Sequence, residues 1–214
     1  MSLKYVPLYA CLALLSACSA RPWVPYVEPA PGTDTAQLRV ITNGEVRGGV
    51  YEGCVGNEQG LAKAGRFGEN RQPAINYPQS PQVPPKLDMP ARFAPKLNDY
   101  LGVTSMAEGL YSEIVAEYRV PAGKPFVLSR EMLQAGSYGS TYMQCPEQAQ
   151  VFTFEKGKNY EVYMGINSVT ASDGTSQVKC PFAVYELVSF GTQGLTLPRT
   201  LQSREPSTQK CPAR

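Results

Sequence analysis

The chain has no histidine at any of its 214 positions. That absence removes Ser-His-Asp and Cys-His nucleophilic catalysis, histidine-containing zinc sites and the commonest general base near neutral pH. An excess of charge of one sign is missing too, since Lys and Arg outnumber Asp and Glu by only two. So close a balance gives no basic field of the kind nucleic-acid binders carry, and no nucleic-acid partner is expected. No apolar run reaches the roughly 20 residues a membrane-crossing helix needs. No two cysteines stand as C-x₂-C, the close spacing usual in structural zinc sites, so neither metal nor other cofactor is expected. Ser-Lys pairs and paired carboxylates survive as formal options. No stretch presents either in a recognisable motif, and the chain is not expected to be an enzyme.

What is present begins with MSLKYVPLYACLALLSACSARP. Lys4 supplies a short positive region, and residues 8–17 form an apolar run of about ten residues, the anatomy of a secretory signal peptide over 1–17. The run closes on Leu15-Ser16-Ala17-Cys18. This resembles the lipobox of bacterial lipoproteins: an aliphatic residue, two small residues, then cysteine. The resemblance implies a thioether from the Cys18 sulfur to diacylglycerol, cleavage before Cys18 and acylation of the freed amine, palmitate among the acyl chains. Two or more chains give stable anchoring where one gives only marginal binding, so the implied partner is a membrane. The bland alternative is an ordinary signal peptide with a chance cysteine. Cys11 is a poor rival, because Tyr9 occupies a small-residue position and Pro7 leaves little apolar run before it. The next residue is Ser19 rather than Asp. In Gram-negative lipoproteins that implies the outer membrane, with the protein facing the periplasm.

Setting Cys11 and Cys18 aside leaves Cys54, Cys145, Cys180 and Cys211. An even number in an exported chain suggests disulfides, with three pairings open. Residues 18–35 carry Pro22, Pro25, Pro29 and Pro31 and read as an extended tether; at ~3.1 Å per residue it would reach roughly 50 Å. Trp23 and Tyr26 could rest at the headgroup level or be incidental on a spacer.

The folded domain is expected over 36–190. Ala36, Leu38, Val40 and Thr42 alternate with Gln37, Arg39 and Ile41 at strand period, and Asn43-Gly44 is a hairpin signal with a return strand over 46–53. Residues 56–109 break the pattern with many Pro, Gly and Asn residues. Short helices are expected near 57–66 and 91–100, and the stretch is either a partner-binding excursion or an insertion draped on the surface. Strands return at 111–120, with Ile114, Ala116, Tyr118 and Val120 on one face, and at 125–130. Residues 150–154 and 159–166 flank EKGK as a second hairpin. A polar loop over 168–177 precedes a last strand over 178–189, in which Pro181 suggests an edge or bulge. Residues 191–214 read as a polar, disordered tail. Many short strands separated by turns predict an all-β, antiparallel β-sandwich. Cys145 and Cys180 would meet at one end of such a meander, leaving Cys54 with Cys211. Glu113, Glu117, Glu147 and Glu161 fall on or near strands, with alternation placing them on solvent faces.

YRVPAGKPFVL, FTFEKGKNYEVYM and CPFAVYEL look like a group of uncharacterised proteobacterial lipoproteins with a small immunoglobulin-, transthyretin- or PEGA-like sandwich, over about 110–188. The likeness is structural and implies no catalytic residue. The expectation is a non-enzymatic envelope module with a protein or glycan partner. The alternatives are an accessory subunit of an envelope secretion machine and, less favoured, a carboxylate-based glycan-acting enzyme.

Overall fold

A computed structural model describes residues 21–67, 76–92, 104–106, 109–135, 143–170, 172–191 and 194–212. In chain order the strands are β1 (Thr35–Thr42), β2 (Glu45–Val50), β3 (Gln59–Lys63), β4 (Arg66–Phe67), β5 (Ala91–Arg92), β6 (Thr104–Met106), β7 (Gly109–Tyr111), β8 (Ile114–Pro121), β9 (Pro125–Arg130), β10 (Leu133–Ala135), β11 (Met143–Cys145), β12 (Gln148–Thr153), β13 (Asn159–Met164), β14 (Asn167–Thr170), β15 (Ser176–Lys179), β16 (Phe182–Phe190) and β17 (Leu195–Thr200). The fold is all-β. A six-stranded sheet, β5-β17-β16-β13-β1-β8, faces a four-stranded sheet, β12-β9-β2-β3.

Period-two alternation builds the core between them. Leu38 and Val40 of β1, Ala116 and Tyr118 of β8, Tyr160 and Val162 of β13 and Val184 of β16 meet Val46, Leu61, Phe126, Leu128 and Phe152 of the smaller sheet. All twelve are buried, and at roughly 1.5–3 kcal/mol for each large apolar side chain this layer dominates the favourable side of folding. The rings of Phe126, Phe152, Phe154 and Tyr160 add offset and tilted contacts, the geometries that ring quadrupoles favour.

The sandwich is mixed rather than antiparallel. β1 pairs in parallel with β13 at the centre of the large sheet, and β17 in parallel with β5 at its edge. The cause lies in the turns. Both expected hairpins are crossings between sheets: β1 and β13 belong to the large sheet, β2 and β12 to the small one. A two-residue I′ hairpin needs positive φ at both turn residues, and neither Asn43 nor Gly44 has it. Asn43 instead acts as a peptide mimic. Its side chain donates to the Ile166 carbonyl (2.8 Å) and accepts from the Ile166 amide (3.0 Å), tying the crossing to the end of β13. Gly44 lies against Leu133, where a Cβ would come within 2.6 Å of that side chain.

Other elements also differ from expectation. Residues 59–63 form β3 rather than a helix, because Gly60, Leu61 and Ala62 are buried against β2 and the core. Residues 91–92 are strand, and 93–100 lie outside the described residues. The expected polar loop 168–177 belongs to a hairpin of β14 and β15, and the expected last strand breaks at Cys180-Pro181 into β15 and β16. The expected disordered tail is ordered over 194–212. It supplies β17, and Arg204 then exchanges backbone hydrogen bonds with Val151 of β12.

Two sheet edges, β3 and β8, where unpaired backbone groups would invite aggregation, are covered by proline-rich segments. Val24 and Tyr26 pair with Gly60 along β3. The Pro85 carbonyl and the Glu28 carboxylate accept the Glu117 and Arg119 amides of β8.

Candidate functional site

Four places on the molecule gather functional chemistry. The first is a row of charges across the outer face of the six-stranded sheet. Register sets Glu117 of β8, Arg39 of β1 and Glu161 of β13 side by side, followed by Tyr185 of β16. Arg39 Nε meets Glu117 Oε1 at 3.0 Å and its Nη1 meets Glu161 Oε2 at 3.2 Å. Arg92, entering from β5, adds a contact to Glu161 Oε1 at 2.8 Å and stands over the Tyr185 ring. Alternation puts these side chains outward, yet Glu117 is 4% and Glu161 1% exposed. The solvent-face expectation fails for both, because residues 85–92 cross this face as a strap. Leu87 N–H donates to Glu117 Oε2 at 2.6 Å and Met89 N–H at 3.3 Å, while the Met89 and Pro90 carbonyls accept from Arg39 Nη2. Burial alone pushes the Glu117 carboxyl up. The Leu87 amide, Arg39 and the Met89 amide outweigh it and hold the group below the ordinary glutamate value. Both carboxylates are thus ion-paired, and Glu117 also anchors the strap. Glu147 is exposed and lies 3.8 Å from Lys210; Glu113 is half-buried.

The second place is the N-terminal segment. Expected as a free spacer, it is bound from Arg21 onward. Arg21 pairs with Glu58 at 2.7 Å and donates to its carbonyl, and the carbonyls of Arg21 and Pro22 accept from Arg47. Trp23 lies flat on Gly60, where a Cβ would come within 2.4 Å of the ring, with Arg47 on its face. Tyr26 packs edge-on against Tyr118 and Phe126, and burial pushes its hydroxyl up. Tyr26 thus sits between β3 and β8, and Trp23 covers β3 beside Arg47 and Lys63, so both are packed on the body rather than carried on a free spacer.

The third is a groove of about 510 Å³ beside that segment. Arg21, Arg47, Glu58, Val24, Val55 and Lys210 line it, together with the half-cystine Cys211.

The fourth is the cysteine set. Cys54 is bonded to Cys211 and Cys145 to Cys180, with Cα separations of 5.0 and 5.4 Å. These are the pairs preferred from strand order, though not for the reason given there. β12 and β13 sit in different sheets, and Cys145 reaches Cys180 because it ends β11, which packs on β15. Arg130, missed in the sequence, heads the fully buried side chains. Its guanidinium donates to the carbonyls of Pro146 and Pro181, the residues that follow the two half-cystines, so one cation brackets the bridge. Arg39, Arg92 and Gly60 were missed as well; an outward arginine flanked by outward carboxylates in register is a signal only once strand pairing is known.

Cys18 lies outside the described residues. Among the described residues no group of three or more His, Cys, Asp or Glu could hold a metal ion, and no helix is long and apolar enough to cross a membrane. The chain matches no protein-family model, no curated protein and no solved structure.

Proposed function

We propose that this chain is a lipid-anchored envelope protein, held through acyl chains on Cys18 in the outer membrane and facing the periplasm, where its immunoglobulin- or transthyretin-like sandwich acts as a non-enzymatic binding or structural module. The observation that carries this reading is the closure of a short apolar run on Leu15-Ser16-Ala17-Cys18. The two disulfides support an oxidising compartment. The pairing of Glu117 and Glu161 with arginines favours a scaffold role for the carboxylates that a glycan-acting enzyme would need free. Intact-mass analysis of the protein extracted from membranes tests the anchor: acyl mass on a chain beginning at Cys18 is expected, and Cys18→Ser should leave the membrane fraction. A chain of unmodified mass overturns the reading. Crosslinking of the lipidated protein then identifies what the module holds, an envelope protein or a glycan.

A further inference from the structure

A proline-rich tether of full length would hold the domain well away from a bilayer, but the structure takes nearly all of that length away. Arg21 is already fixed to Glu58 and Arg47, and the chain stays on the body through the Gly60, Tyr118 and Arg119 contacts to Glu28. Only the covalent path from residue 18 to residue 21 remains, and three residues span at most about 11 Å.

Resting on the lipid-anchor reading, we propose that the domain lies directly against the phospholipid bilayer, with the 21–27 edge and its adjoining groove facing the headgroups. The surface around that short path suits a lipid interface. Val24 and Val27 are 49% and 70% exposed, set to meet the apolar boundary. Arg21 and Lys210 line the groove with the carboxylate of Glu58, and Lys210 is largely exposed; Arg47, also in the lining, is buried and paired with Glu45. Basic side chains beside exposed aliphatic ones are what a phosphate-bearing interface recognises. The exposed apolar face of Val188, Phe190 and Leu197 is the rival membrane-facing surface. It sits on β16 and β17, three and four strand spacings from β8, where Glu28 of the N-terminal segment is held, or roughly 14–20 Å.

Trp23 is the sole tryptophan, which makes the test direct. The full lipidated chain is reconstituted into vesicles of phosphatidylethanolamine and phosphatidylglycerol with brominated acyl chains, and tryptophan quenching is compared among three single-tryptophan proteins. These are the natural chain, Trp23→Phe with Val27→Trp, and Trp23→Phe with Phe190→Trp. Quenching several-fold stronger at positions 23 and 27 than at 190 is expected. Equal quenching at all three, or stronger quenching at 190, overturns the orientation. The Val27 reporter, on an exposed side chain, guards against a shielded Trp23. Intact mass of the same samples separates the two failures: acylated protein with the wrong quenching order sinks the orientation alone, and unacylated protein sinks the anchor on which it rests.

Discussion

RPWVPYVEPAPG at 21–32 and YPQSPQVPPKLDMP at 77–90 are alike in the sequence, and both lie extended along the body of the sandwich. They are held by different balances of forces. The first is fixed mainly by shape over 23–26, with an indole flat on a glycine and a tyrosine inserted among rings, and by the Arg21–Glu58 ion pair only at its start. The second is fixed by charge, since the Leu87 and Met89 amides and the Met89 and Pro90 carbonyls close over the ion pairs of Arg39. Proline serves both. It has no N–H to satisfy, and its fixed φ lowers the entropy lost when an extended strip is laid on a surface. A shape-held strip should fail when volume is added, and a charge-held strip when one partner is removed.

The largest effect is expected from Arg39→Met. It leaves Glu117 and Glu161 buried without their shared cation, a change that costs about 3–5 kcal/mol. Denaturant unfolding measures the loss, and amide exchange should show Leu87 and Met89 opening while Tyr26 and Gly60 stay protected. Adding Glu117→Gln and Glu161→Gln should recover much of the loss. If Arg39→Met is neutral, or opens both strips alike, the charge-held description of 85–92 is wrong.

Gly60→Val comes next. The new side chain would meet the Trp23 ring, and overpacking of that kind costs about 1–3 kcal/mol. Trp23 emission should shift to the red as 21–26 is displaced, with Leu87 and Met89 protection unchanged. An unshifted emission would show that the indole does not depend on the glycine.

These contrasts also mark what the sequence could reveal. Alternation in 36–42 and 114–120 shows the core faces of β1 and β8, because one face of each is buried along its whole length. Cysteine order led to the observed pairs. Asn43-Gly44 and EKGK mark real turns, but a turn signature describes local backbone. Whether the next strand pairs with its predecessor or crosses to the facing sheet is decided by contacts more than a hundred residues away, such as Asn43 with Ile166. The burial of Glu117 and Glu161 was illegible for a related reason: period two shows which way a side chain points, not whether a distant strap closes over it. The fixed N-terminal segment turns on Gly60 lying beneath Trp23, a one-atom fit between residues 37 positions apart.

A smaller effect separates the strips by pH. The Glu117 carboxyl sits below its ordinary value in the folded chain. Its contribution to stability is therefore complete above the ordinary glutamate value of about 4.3 and is lost as pH falls through the depressed folded value. Leu87 and Met89 exchange should quicken over that acid window in the natural chain. In Glu117→Gln the strap should be weaker at neutral pH and its acid response flatter. The same slope in both proteins would mean that another group controls the strap.

The smallest expected effect asks whether the strip uses charge beyond the Arg21–Glu58 ion pair. Glu28 accepts the Arg119 amide at 2.8 Å through one oxygen and meets its guanidinium at 3.3 Å through the other, and the Arg119 side chain is about half exposed. A solvated ion pair of this kind contributes little, whereas an unfilled edge amide loses a hydrogen bond. Glu28→Gln keeps an acceptor for the amide and should change stability by only a few tenths of a kcal/mol. Glu28→Ala removes the acceptor and should cost about 1 kcal/mol. Double-mutant cycles with Arg119→Ala, run at low and high salt, isolate the pair. A coupling that is large, or that vanishes in salt together with Trp23 burial, would extend the charge-held part of the strip from Arg21 to Glu28 and weaken the contrast between the two segments.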